Sequence, residues 1–261
     1  MAEELKGDCP FCEQKNVTII NSHIIPRWAH KRTRGDGSKG DPIIVYQDKS
    51  VQSGEQLAEP MLCSECDQTL GVFDKYAADL AYHRGTAGIL KGCSIHSEPG
   101  ESTMLGVLDA SIDVDRLSRF AASVFWRGHI AKRTAKCDIG ERHAQTLLRY
   151  LRREARFPCT LTLIAQVFVP DGPRRFVEGE AAWEPTTKAE EGSRVSDFMV
   201  CGLLFRLESG SARSEELNAI CLQNTKTRTV AVTPSGRAGY LKRIAAAPAV
   251  GRGARRLAGL E

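Results

Sequence analysis

The chain has 261 residues, 26% of them charged and 42% hydrophobic, with nine cysteines and a formal charge of +4. That length suits one large or two small domains and buries a core without staples, so a metal here serves a local purpose. No run reaches the roughly 18–20 apolar residues a membrane helix needs, and the acidic start Met1–Cys9 lacks a signal-peptide layout, so a cytoplasmic protein with reduced thiols is expected.

The charge is unevenly spread. Residues 226–261 carry eight Lys and Arg against the single acid Glu261, a balance of +7 that leaves −3 for residues 1–225. Such an end either binds phosphates through salt-sensitive electrostatics or is a solvated tail. Composition divides the chain into residues 1–100, rich in chemistry, an α+β accessory domain over 101–235, and a basic Ala/Gly-rich tail over 236–261.

In chain order, Cys9-Pro-Phe-Cys12 opens the first part and Cys63-Ser-Glu-Cys66 closes it. Each C-x2-C turn offers two thiolates to one tetrahedral ion, and two turns complete a four-sulfur structural zinc site with no open position. A metal closing so long a loop makes the intervening segment the candidate active part. Between the pairs lie Asn21-Ser-His23-Ile-Ile-Pro26-Arg-Trp28 and a loop-like stretch from Arg34 to Asp41. Arg27, His30, Lys31, Arg32 and Arg34 make a basic run suited to phosphates or simply to solvent, and Trp28 reads as an anchor for the turn.

Further on, Ile112, Val114, Leu117, Phe120, Ala121, Val124 and Phe125 recur at helical spacing after Asp113. A second helix is expected from Glu141, with Ala144, Leu147, Leu148 and Leu151 inward and Arg149, Arg152, Arg153 and Arg156 mostly outward. The runs Thr160–Val169, Asp197–Leu207 and Thr225–Val232 read as strands. Cys159, Cys201 and Cys221 lie in or beside apolar segments, as buried thiols do. Cys93 and His96 have ligand-like spacing but lack a second pair. The sequence has no GxxxxGK[ST], GxGxxG or GxSxG pattern, so nothing marks it as an intrinsic NTPase, a dinucleotide enzyme or a serine hydrolase.

Cys-x2-Cys followed by Ser-His23-Ile-Ile-Pro, then Leu62-Cys63-x-x-Cys66-Asp67, resembles the zinc-stabilised HNH (ββα-metal) endonucleases over residues 9–76. Those proteins carry Asp-His-Ile-x-Pro and then Leu-Cys-x-x-Cys followed by His or Asn. Phe120 to Arg127 is also similar to a helix that accompanies such domains in bacterial proteins. The resemblance implies an α+β chain: a zinc-pinned ββα-metal domain followed by a mixed helix/strand domain.

It further implies a metal-dependent endonuclease acting on DNA, with His23 as general base and Asp67 holding a catalytic Mg2+ or Mn2+. Cys9, Cys12, Cys63 and Cys66 would hold structural Zn2+. The accessory domain would serve target choice, dimerisation or a regulatory partner, as in defence or mobile-element systems. Two family positions are replaced here: Ser22 stands for the metal-binding Asp, and Ala58, beside Glu59, for the middle Asn. Asp74 or Asn21 would have to compensate. A non-catalytic zinc-ribbon module that binds nucleic acid is the alternative, and an adaptor for protein contacts a third.

Overall fold

A computed structural model describes residues 4–33, 43–46, 49–52, 58–83, 89–94, 104–132, 137–169, 182–190, 193–210, 219–223, 228–234 and 249–250. The chain is α+β.

A short strand, β1 (Lys6–Gly7), precedes β2 (Val17–His23), α1 (Arg27–Thr33), β3 (Ile43–Tyr46), β4 (Lys49–Gln52), β5 (Ala58–Cys63) and α2 (Ser64–His83). Then come β6 (Leu90–Ser94), β7 (Met104–Leu108), α3 (Val114–Ile130) and α4 (Glu141–Leu151). The remaining strands are β8 (Leu161–Val169), β9 (Ala182–Glu190), β10 (Ser193–Val200), β11 (Leu203–Ser209), β12 (Thr229–Pro234) and β13 (Ala249–Val250). They form sheets ordered β1-β2-β5, β6-β7-β12-β8-β11-β10-β9 and β13-β4-β3. The seven-stranded sheet is antiparallel except for β12 beside β8.

Helix α3 is the centre of the molecule. Asp113 caps its start by accepting the Arg116 N–H. From Leu117 to Gly128 every residue is buried, because the helix is covered on several sides at once. Toward the large sheet, Phe120 and Phe125 meet Phe198 and Phe205 edge-on at 4.9–6.1 Å. Near its C-terminal end a Cβ on Gly128 would come within 2.5 Å of the Pro185 ring, so only glycine lets β9 approach this closely. On the opposite side lie α2 and the loop before β2, where Phe11 sits edge-on to Trp126. Each large apolar side chain so buried contributes about 1.5–3 kcal/mol.

Asp115, Arg119, Ser123 and Arg127 run along one ridge of α3 at four-residue spacing, each with a partner. Arg119 bonds Asp115 at 2.8 Å and the Tyr150 carbonyl, with its guanidinium 4.2 Å from the Tyr150 ring. Ser123 donates to the Phe120 carbonyl, and Arg127 bonds both Ser123 and Asp74.

Several sequence expectations change. The boundary at residue 100 falls between two paired strands, β6 and β7, and one continuous core joins residues on both sides of it. The run Asp197–Leu207 is not one strand: Cys201 (φ 49°) and Gly202 (φ 76°) form a tight turn between β10 and β11, pairing Val200 with Leu203. Cys159 is exposed, whereas Cys201 and Cys221 are buried. Arg152 is half-buried, bonding the Phe11 carbonyl and Glu13 rather than pointing to solvent.

Arg228 does not belong to a tail, since it donates to the carbonyls of Asp109 and Ile112 at 2.7 and 2.6 Å. The Arg34–Asp41 stretch, Lys226 and most of 236–261 lie outside the described residues, although β13 pairs with β4. The helix from Glu141 and the strand ending at Val169 match their sequence patterns. Among the described residues no helix is long and apolar enough to cross a membrane.

Candidate functional site

Two ends of the β2–β5–α2 unit carry the chemistry. At one end Cys9 and Cys12 sit in the turn before β2, Cys63 ends β5, and Cys66 lies in the first turn of α2. The turn is closed by Glu13 N–H to the Cys9 carbonyl and Cys9 N–H to the Gln14 carbonyl, with Glu13 and Asn16 both at positive φ. All four sulfurs lie within 4.8 Å of one another, and Cys12 and Cys63 are 3.9 Å apart. A tetrahedron with Zn–S near 2.3 Å has edges of about 3.8 Å, so the spacing fits zinc.

The local field suits thiolates only in part. Burial raises the Cys9 thiol, but the backbone N–H groups of Cys63, Cys12 and Phe11 outweigh it and bring it down to about 7. Burial and the neighbouring sulfurs push Cys66 far up. One sulfur is thus prepared for ionisation and another resists it, a conflict that a divalent cation among the four would relieve.

At the other end His23 closes β2, half-buried and paired in register with Ala58 of β5. Ser22 pairs with Glu59 on the opposite face. Ser22 is 0% exposed and its Oγ has no hydrogen-bond partner among the described residues. Glu59 is 4% exposed and accepts the backbone N–H of Lys132, just beyond α3. Neither Ser22 nor Glu59 therefore stands on His23's side, and Asn21 is exposed.

Of the acids of α2, Asp74 lies within electrostatic reach of His23. Asp67 and Asp74 are two turns apart on one helix face around buried Leu70. Burial pushes the Asp74 carboxyl above the usual range against the pull of Arg127, and it feels the negative charge of Asp67 and the imidazole of His23. Asp74 is neither a solvated charge nor a spare carboxylate: both oxygens are taken by Arg127, at 2.9 and 2.8 Å. Asp67 makes no ion pair among the described residues and is half-buried.

Glu59 was noted in the sequence only as the neighbour of Ala58, and neither its pairing with Ser22 nor the part played by Arg127 was visible there. The available signal was an arginine directly after the apolar stretch Phe120–Trp126, where an unpaired buried charge would be costly.

Along α1, Arg27 and Lys31 are exposed, Arg32 is half-buried and His30 is buried, so the basic run only partly faces solvent. Trp28 is an anchor, 6.3 Å from the Phe120 ring. Arg34 and His96 lie outside the described residues. No family model matches the chain, and neither curated proteins nor solved structures match it.

Proposed function

We propose that the chain is a zinc-stabilised, metal-dependent endonuclease of the HNH type that hydrolyses phosphodiester bonds of DNA. The supporting observation is that His23, Asp67 and Asp74 share one electrostatic neighbourhood on a two-stranded, one-helix frame fastened by four cysteines. In this reading His23 takes the proton of the attacking water, an imidazole being suited to that exchange near neutral pH. Arg27 and Lys31 hold flanking phosphates. Asp74, fixed by Arg127, holds α2 against the core helix.

Asp67 would hold Mg2+ or Mn2+. Such ions commonly take one or two carboxylates, the rest of the shell being water and substrate phosphate, so one free acid meets the lower limit. Bound there, the cation supplies neutralisation of the charge that develops on the phosphate.

A non-catalytic nucleic-acid-binding module is the second reading, and the burial of Ser22 favours it, because the position that carries a metal-binding Asp in HNH enzymes offers no ligand here. Plasmid cleavage with Mg2+ or Mn2+ tests both. Cleavage abolished by His23→Ala and by Asp67→Ala, with zinc content unchanged, is expected. Cleavage that persists in His23→Ala, or no cleavage by the intact zinc-loaded protein, overturns the enzyme reading.

A further inference from the structure

Beside the His23 end of the unit lies an exposed aromatic side chain that this mechanism does not use. Tyr82, in the last turn of α2, is 49% exposed, although it is one of the larger apolar side chains of the protein. Its position is held from behind. The Trp28 ring lies 6.4 Å away at an interplanar angle of 59°, and Trp28 in turn packs on Phe120 of the core helix. Its hydroxyl reaches the Trp28 carbonyl at 3.5 Å, and the Arg32 guanidinium stands 5.1 Å from its ring centroid. The exposed aromatic is thus a braced plate, whereas a solitary surface tyrosine would swing freely.

The charge around it is uncompensated. Helix α1 supplies Arg27 and Lys31, one turn apart and exposed, and neither makes an ion pair among the described residues. Asp79 lies near on α2 but is engaged by Lys75 at 3.1 Å. Asp74, Ala78 and Tyr82 follow each other at four-residue spacing along α2, so Tyr82 lies about 12 Å beyond Asp74 on one ridge. A braced ring at the end of α2 and two cations without ion pairs among the described residues, on the helix whose Trp28 and Arg32 touch that ring, thus make a strip across the contact of α1 with α2.

Resting on the nucleic-acid reading above, we infer that this strip binds unpaired DNA, with one splayed base stacked on Tyr82 and the adjacent phosphates held by Arg27 and Lys31. Single strands fit the chemistry better than duplex because a base must leave its neighbours to present a face to the ring. Positive charge alone would serve either form equally.

The test is fluorescence anisotropy of the full-length zinc-loaded protein on a labelled oligo-dT and on a labelled duplex, in a buffer without Mg2+ or Mn2+. Tyr82→Ala should weaken oligo-dT binding about fivefold or more, the usual worth of one stacked base. It should leave duplex binding unchanged, and Tyr82→Phe should bind as the parent does. The Arg27→Ala/Lys31→Ala protein should lose affinity for both forms, with a single-strand salt slope lower by roughly 1.4, about 0.7 for each phosphate. Equal losses on single strand and duplex for Tyr82→Ala, or no loss on oligo-dT, overturn the inference, as does Tyr82→Phe behaving like Tyr82→Ala while thermal unfolding is unchanged.

The outcome is separable from that of the cleavage reading. Tyr82-dependent oligo-dT binding with no cleavage leaves this inference standing alone, and His23-dependent cleavage by a protein whose oligo-dT binding does not need Tyr82 removes it.

Discussion

Arg127 of α3 and Asp74 of α2 meet through two parallel hydrogen bonds of 2.9 and 2.8 Å, with 3% and 15% of their side chains exposed. The pair ties the helix that carries Asp67 to the helix at the centre of the core. Because burial disfavours both charges, each depends on the other, and Arg127 also donates to Ser123.

Arg127→Met should therefore destabilise the protein by about 3–5 kcal/mol, since it strands a buried carboxylate. The paired change Arg127→Met/Asp74→Leu should recover most of that loss. Urea unfolding measures both, and additive losses in the double variant would contradict the coupling.

The pH dependence of Arg127→Met follows from the same burial. Asp74's carboxyl is raised above its ordinary 3.8 even with Arg127 beside it, and more so without it. The folded state then holds its proton more tightly than the unfolded chain, so the relative stability is greatest in acid and falls as pH rises through the folded-state value. The deficit against the parent protein should be smaller at pH 5 than at pH 8, and a deficit independent of pH would count against a buried carboxylate.

Zinc removal should act on the whole molecule. The turn that carries Cys9 and Cys12 is also gripped by Arg152, the residue that caps the C-terminus of α4, through the Phe11 carbonyl, and Phe11 packs on Trp126. Elemental analysis should find one zinc per chain, absent in Cys12→Ser/Cys66→Ser. Calorimetry of that variant should show one lowered transition. A separate low-temperature transition with the main one unmoved would mean that the cysteine turn is an independent appendage.

Thiol labelling separates the remaining cysteines by environment. Burial pushes both Cys137 and Cys201 up to about 12, whereas Cys159 is exposed. Iodoacetamide followed by peptide mapping should mark Cys159 before Cys137 and Cys201. Raising the pH from 7.5 to 9.5 should leave Cys137 and Cys201 unmodified until denaturant is added. Early labelling of either would show that its surroundings open in the native state.

A fragment ending at residue 100 should not fold. It would keep β6 without β7 and would expose Phe11, Ile24, Ile25 and Phe73, whose core continues through α3. Circular dichroism without a cooperative melt is expected, and a cooperative transition in the zinc-loaded fragment would restore the boundary drawn from composition.

The sequence is legible where chemistry is compressed into short spacing. Two C-x2-C turns and Ser-His23-Ile-Ile-Pro stand out within a few residues, and the structure gathers the four sulfurs. Helical periodicity likewise marks α3 and α4. Pairings over long separations are not legible, and Asp74 and Arg127 are 53 positions apart. Ser118, Arg119, Ser123 and Arg127 suggest a solvated face on α3, yet all four are buried, because partners from other elements or nearby carbonyls satisfy the polar groups of Arg119, Ser123 and Arg127. The Cys201–Gly202 turn was hidden for a local reason: cysteine is not a residue that announces positive φ, so an apolar hairpin looked like one strand.

The slip in register between β2 and β5 has a consequence of parity. Ile20 faces Leu62 while the next residue, Asn21, faces Pro60, so Met61 is an extra residue in β5. Alternate counting back from Cys63 would set Glu59 on the side of His23, giving the histidine a carboxylate neighbour. The one-residue insertion reverses this: Glu59 turns inward to the end of α3, and Ala58, with no charge, lies across from His23. A deletion of Met61 would therefore straighten β5 and keep Ala58 across from the histidine, whereas drawing Met61 into the ladder would set the acid Glu59 there.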